Sequence, residues 1–281
     1  MKIIPILLSI LMSVPLVAQE GGKTTTLLLR DKNYIELSLG KSNSKFRDFA
    51  TSPLFYKGLP TAFGIRKTRD KNMTLVSFGM EYIFGNYHSN FNDHEATSQV
   101  RSLSFDYSRM YHSNLTRWDK TDLFLGGKVV STANLRINPS LLNNNVGFEM
   151  FANIMGSAMV QRDISRNRLK SKKILFIKYK LKPRKRDLSY RLNLGIVNTN
   201  YRNGYSYIGQ SALLNEFELF EDYKYSVLSG LRIGSQIDYR VYLNNNALVF
   251  SYVWDAYKTG NKMDKLEMSQ HIFKLSMLIN K

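Results

Sequence analysis

The chain has 281 residues and carries 40 Lys and Arg against 22 Asp and Glu, a formal charge of +18. It has no cysteine, which excludes disulfides and thiolate metal sites. Such a basic balance invites a nucleic-acid reading, but no recognised binding motif accompanies it.

The amino terminus sets the compartment. Met1-Lys2 precedes an apolar run from Ile3 to Val17 and then Ala18-Gln19-Glu20, the order of a secretory signal peptide. A membrane anchor needs about 20 apolar residues, more than this run supplies. Cleavage is expected after Ala18, giving a signal peptide at 1–18 and a single domain at 19–281. Export also removes the nucleic-acid reading. No second long apolar run follows, so the chain has no membrane helix to offer.

Alternation of apolar and polar side chains then recurs, the mark of strands with two unlike faces. At 34–40, Ile35, Leu37 and Leu39 oppose Glu36, Ser38 and Gly40. A weaker segment lies at 59–69. At 74–84, Val76, Phe78, Met80, Tyr82 and Phe84 oppose Ser77, Gly79 and Glu81. At 101–112, Leu103, Phe105, Tyr107 and Tyr111 oppose Ser102, Ser104, Asp106 and Ser108. A second weak segment, 123–133, precedes 148–161, where Phe148, Met150 and Ile154 oppose Glu149, Asn153 and Ser157. Segments at 175–181 and 190–196 follow.

The longest alternation spans 223–243. Tyr223, Tyr225, Val227, Leu231, Ile233, Ile237, Tyr239, Val241 and Leu243 take odd positions, and Arg232, Asp238 and Arg240 take even ones. Ordinary strands run about 5 to 6 residues, and a bilayer crossing takes about 9 to 11. One extended strand is therefore expected, its odd face toward lipid and its excess length standing above the membrane at the Tyr223 end. Segments 248–254 and 273–279 close the series at about eleven strands. A closed single-chain barrel needs an even number, so twelve are expected, or ten, with the miscount in 23–30 or 162–187. Loops are expected at 46–57, at 86–99 and, on the outside, at 203–222. Asn244-Asn245-Asn246 reads as a periplasmic turn.

Apolar faces rich in Tyr and Phe, polar faces rich in small residues, and a mean hydropathy of −0.28 occur together. In these features the chain resembles the outer-membrane β-barrel proteins of Gram-negative bacteria. That resemblance implies an all-β, antiparallel, up-and-down transmembrane barrel in the cell outer membrane. It would be set in outer-membrane lipid and lipopolysaccharide, with its outer loops open to an envelope protein partner. One departure is the terminus: the chain ends Ile279-Asn280-Lys281, with Phe273 the nearest aromatic, where many such barrels end on an aromatic residue.

Candidate chemistry is sparse. Tyr-His-Ser-Asn occurs at 87–90 and again at 111–114, so His88 and His112 are weak catalytic candidates. The outer-membrane lipid hydrolases that this chain is similar to in size place a His and a Ser two residues apart on one face. Here His and Ser are adjacent and point to opposite faces. Asp93-His94 lacks the second acidic pair of an outer-membrane protease, and the four histidines show no metal-ligand spacing. No cofactor or metal is expected.

Charge is the stronger clue. Lys178, Lys180, Arg191, Arg232 and Arg240 fall on polar strand faces and are expected to line the lumen. Glu36, Glu81, Asp106, Glu149 and Asp238 fall there too. Either the cations form a wall favouring anions, or the acids pair with them and close the barrel. Three functions remain: a narrow pore or transport barrel with a basic lumen, a structural or accessory barrel of an envelope assembly, secretion or surface-polymer system, and, third, a lipid hydrolase.

Overall fold

The computed structural model describes residues 32–71, 73–91, 94–113, 115, 118–139, 141, 146–174, 176–203, 223–260 and 264–281. The expected signal peptide and the segment 23–30 lie outside these residues.

Among the described residues the chain is all strand and turn. In order the strands are β1 (Lys32–Asp48), β2 (Ser52–Gly58), β3 (Thr61–Lys71), β4 (Thr74–Phe91), β5 (His94–Ser113), β6 (Thr121–Ile137) and β7 (Val146–Asp163). They continue with β8 (Lys170–Ile174), β9 (Ile177–Leu181), β10 (Arg186–Asn203), β11 (Tyr223–Val227), β12 (Leu231–Leu243), β13 (Asn246–Thr259) and β14 (Leu266–Asn280). Pairing is antiparallel and up-and-down, and it closes where β1 meets β14, Tyr34 opposite Asn280 through Asp48 opposite Leu266. Closure leaves no sheet edge to satisfy in lipid.

Two barrel strands are broken. β2 and β3 together occupy one position, interrupted at Leu59-Pro60, where proline offers no N–H to the ladder. β11 and β12 share another, so the unbroken strand expected over 223–243 is two segments. The break lies at 228–230, where Leu228 and Gly230 take positive φ of 55° and 89°. A Cβ on Gly230 would meet the Lys258 carbonyl oxygen at 2.0 Å. The neighbouring strand β10 bulges between Gly195 and Val197, and Asn198 donates to the Gly230 carbonyl at 3.2 Å. Parity survives the break: Arg232 and Asp238 are buried inward, while Tyr225, Val227 and Leu231 are exposed.

The barrel thus has ten strand positions, one of the two numbers expected. The number twelve is reached when the separate hairpin β8–β9 is added. The expected loops 46–57 and 86–99 are corrected. Phe46 to Asp48 belong to β1, β2 begins at Ser52, and β4 and β5 run on until only 92–93 separates them. Alternation persists there with the polarity of the faces reversed, which hides a strand from a search for apolar outward faces.

Lys32 and Lys281 share one end with the two-residue connections 72–73 and 244–245, while Asn203 closing β10 and Tyr223 opening β11 stand at the other with 92–93; the expected outside loop, residues 204–222, lies outside the described residues. Short turns mark the periplasmic end of such barrels. An apolar belt encircles this lower half: Leu37, Leu39, Phe63, Ile65, Phe78, Met80, Tyr82, Phe84, Phe105, Tyr107, Val129, Ile154, Leu194, Ile196, Phe250, Phe273 and Leu275 all point outward and are exposed. The strands are 13 to 20 residues long at most positions. They therefore overshoot the bilayer, and the surplus stands at the outer end.

Candidate functional site: the barrel interior

The interior has two levels. In the membrane half, small polar residues and ion pairs fill the lumen. Arg66 on β3 makes two 2.7 Å hydrogen bonds to Asp106 on β5. It reaches across β4 because the intervening residue is Gly79, where a Cβ would stand 2.8 Å from the guanidinium carbon. Lys128 shares Asp106 at 3.8 Å. Arg232 is held by Asp255 at 2.7 Å and donates across the lumen to Thr132 and Asn153 at 3.1 and 2.9 Å. Arg240 pairs with Asp187 at 3.2 Å, and Lys274 pairs with Glu81.

The outer half is built like the inside of a water-soluble barrel. Phe46, Tyr56, Tyr87, Val100, Phe151, Tyr257, Leu266 and Met268 form one buried cluster. Phe46 stacks on Tyr56 at 5.1 Å, and Phe151 meets Tyr257 at 4.9 Å. Beside this cluster Asp48, Glu149, Arg136 and Arg202 make a buried charge network: Arg136 bonds Asp48 and Glu149, and Arg202 bonds the other Asp48 oxygen at 2.6 Å. Burial pushes the Asp48 carboxyl up, but Arg136 and Arg202 more than offset this and hold it below its usual value. Burial raises the Tyr87 phenol to about 12.

Many of these contacts are chords between strands that do not pair. Asp48 on β1 reaches Arg136 on β6 and Arg202 on β10. Asn134 on β6 donates to Tyr257 on β13 at 2.9 Å, and Asn138 donates to Tyr56 at 2.9 Å. A cavity of about 10 Å³ beside Arg232, Asn153 and Tyr257 has room for about one water.

The expected lumen residues divide as follows. Arg191, Arg232 and Arg240 lie on the inner face with Glu36, Glu81, Asp106, Glu149 and Asp238. Glu36 sits directly opposite Arg66 in the ladder, and Asp238 accepts from Gln236 at 2.8 Å. Arg191 donates to the Met159 sulfur at 3.5 Å. Lys178 and Lys180 are corrected. They lie on β9, which pairs with β8 and with no barrel strand, so they are not part of the lumen wall. A period of two reports a strand but not the sheet it joins, and a run of cations without acids has no compensating partners to carry inside.

Sequence reasoning missed Asp48, Arg66, Lys128, Arg136, Asp187, Arg202, Asp255 and Lys274. Asp48, Arg136 and Arg202 lie beyond the apolar belt and Asp187 and Asp255 just outside the recognised segments, so their signal was lost with the strand ends, whereas Arg66, Lys128 and Lys274 stand at inward parity within the segments 59–69, 123–133 and 273–279 and were legible there.

The two histidines serve different faces. His88 points outward, exposed, and meets Glu95 at 2.6 Å, while its neighbour Ser89 is buried inward. His112 lies inside at the periplasmic end, 2.9 Å from Asp122. Neither has a serine hydroxyl as partner among the described contacts. Asp93 and the His94 side chain lie outside the described residues.

No protein-family model matches the chain, and no curated protein sequence is significantly similar to it. Solved structures that resemble it include the transport unit of the autotransporter AIDA-I from Escherichia coli, with a TM-score of 0.40, 8% identity and coverage of 90% of this chain and 92% of that one. The P. putida toluene transporter TodX gives 0.32 at 10% identity, covering 90% and 91%. The attachment invasion locus protein Ail of Yersinia pestis gives 0.26 at 8% identity, covering 89% and 99%. Scores this low carry no argument about activity. The outer-membrane assignment stands on the barrel itself: closed, belted with apolar side chains and polar within.

Proposed function

We propose that this protein is a closed outer-membrane barrel acting as a structural or accessory component of an envelope system, with its contacts at the rims rather than along a solute path. The observation that carries this reading is the set of chords crossing the lumen. A continuous aqueous path would have to part Asp48 from Arg136 and Arg202 and Lys274 from Glu81. Breaking a buried pair by removing a partner costs about 3–5 kcal/mol. A lumen of ten strands is narrow enough for side chains to fill it. Charge supports the same reading, because Arg66, Lys128, Arg136, Arg202, Arg232, Arg240 and Lys274 each have a carboxylate within salt-bridge distance, so little positive field is left to select anions.

Planar-bilayer recording of the refolded, inserted protein tests this reading. The expected result is an insulating membrane. A steady anion-selective current would overturn it and restore the narrow pore with a basic lumen.

A further inference from the structure

The segment between Asp163 and Asp187 holds eleven Lys and Arg and no Asp or Glu. It leaves the barrel at the periplasmic end. The arm is prolonged by an isolated bridge between Arg166 and Arg184 and then by the hairpin β8–β9, which forms its own two-stranded sheet. Two features of this arm run against its own stability. The register sets Arg166 opposite Arg184 and Lys173 opposite Lys178, and like charges directly across a ladder destabilise it. At the tip, Phe176 is 92% exposed. Successive cross-strand pairs alternate between faces. By register, the positions Ser171, Lys173, Lys178 and Lys180 fall in one alternating set of pairs, and Lys170, Lys172, Ile174, Ile177, Tyr179 and Leu181 in the other.

A polybasic strip backed by an apolar strip and tipped with an aromatic ring is the chemistry that binds the surface of an anionic bilayer. The arm is also placed to reach one. Leu188 and Tyr190, exposed and outward-facing, lie just beyond the arm's base at Asp187, so the arm leaves the barrel beside the lower edge of the apolar belt. We propose that the β8–β9 arm docks on anionic phospholipid headgroups of the inner leaflet of the membrane that the barrel crosses. This does not depend on whether the lumen is closed.

The chain has no cysteine, so Phe176→Cys provides a single site for a polarity-sensitive fluorophore. The full-length labelled barrel is placed in lipid nanodiscs of phosphatidylcholine alone, or of phosphatidylcholine with phosphatidylglycerol. The expected result is a blue-shifted emission, quenched by spin-labelled lipid, in the anionic discs only. The effect should be lost at 1 M salt, where the Debye length falls to about 3 Å. It should also be lost when Lys172, Lys173, Lys178 and Lys180 are changed to Glu, and retained when they are changed to Arg. Since β8 and β9 lie outside the barrel sheet, both sets should leave barrel circular dichroism unchanged. A probe equally exposed to water in both discs overturns the proposal. So does equal burial in neutral discs, or capture of the arm by polyglutamate but not by anionic discs.

Discussion

The two halves of this barrel invert one another along the same strands. On β4 the outward residues change from Phe78, Met80, Tyr82 and Phe84 to Asn86, His88 and Asn90 as the strand rises, while the inward residues change from Ser77, Gly79 and Glu81 to Ile83 and Tyr87. On β1 the outward Leu37 and Leu39 give way to Lys41, Asn43 and Lys45, and the inward Glu36 and Ser38 give way to Phe46. The ladders of β4 with β5 and of β1 with β14 run unbroken across this boundary. What changes is the surrounding solvent, lipid below and water above, and each face follows the medium it meets. The lower half is stabilised by a closed ladder in lipid, and the upper half by an apolar core of the ordinary water-soluble kind.

The largest test of this contrast is Asp48→Ala. It leaves Arg136 and Arg202 buried without that carboxylate, so a loss of roughly 3–5 kcal/mol is expected, confined to the outer half. Urea titration followed by proteolysis of the outer segments would read it, and a uniform loss over the whole barrel would break the two-region picture. Acid should act through the same group. Its folded pKa is depressed, so its stabilising contribution is fully present above the ordinary carboxylate pKa and is lost as pH falls through the folded value. The Asp48→Ala variant should therefore show a weaker acid dependence of outer-half protection than the parent.

Next in size is an arginine scan of the outward face of β4. Met80→Arg, in the belt, should cost about 2–4 kcal/mol if that site lies near the bilayer midplane. Asn90→Arg, on the same face above the belt, should stay within about 0.5 kcal/mol. Equal costs at the two positions, measured by reversible folding into vesicles, would place the membrane boundary elsewhere. The smallest expected effect is that of His88→Ala, an exposed residue paired with an exposed Glu95, again within about 0.5 kcal/mol.

The barrel class was legible because lipid-facing residues announce themselves at period two: Val76 to Phe84 and Phe273 to Ile279 are read correctly residue by residue. Strand ends were not legible. Above the belt the apolar residues move inward, so Tyr87, Val100 and Phe46 fall on the parity opposite to Phe84, Phe105 and Leu39. The rule that found the lower strands therefore reads the upper ones as loops. The candidate site suffered most. Asp48, Arg136 and Arg202 lie in these upper extensions, and their pairing spans sequence separations of 88 and 154 residues that no local pattern reports.

By itself, then, the sequence determined the strand faces of the membrane-crossing half, because these depend on neighbours one or two residues apart, and its composition excluded thiol chemistry. Only the tertiary structure decided that β9 with Lys178 and Lys180 stays out of the barrel, that the strand at 223–243 breaks beside the β10 bulge, and that Asp48 joins three strands across the lumen. Closure brings distant strands face to face, and which charge then meets which is set by register and barrel size, quantities that exist only once the ring is complete.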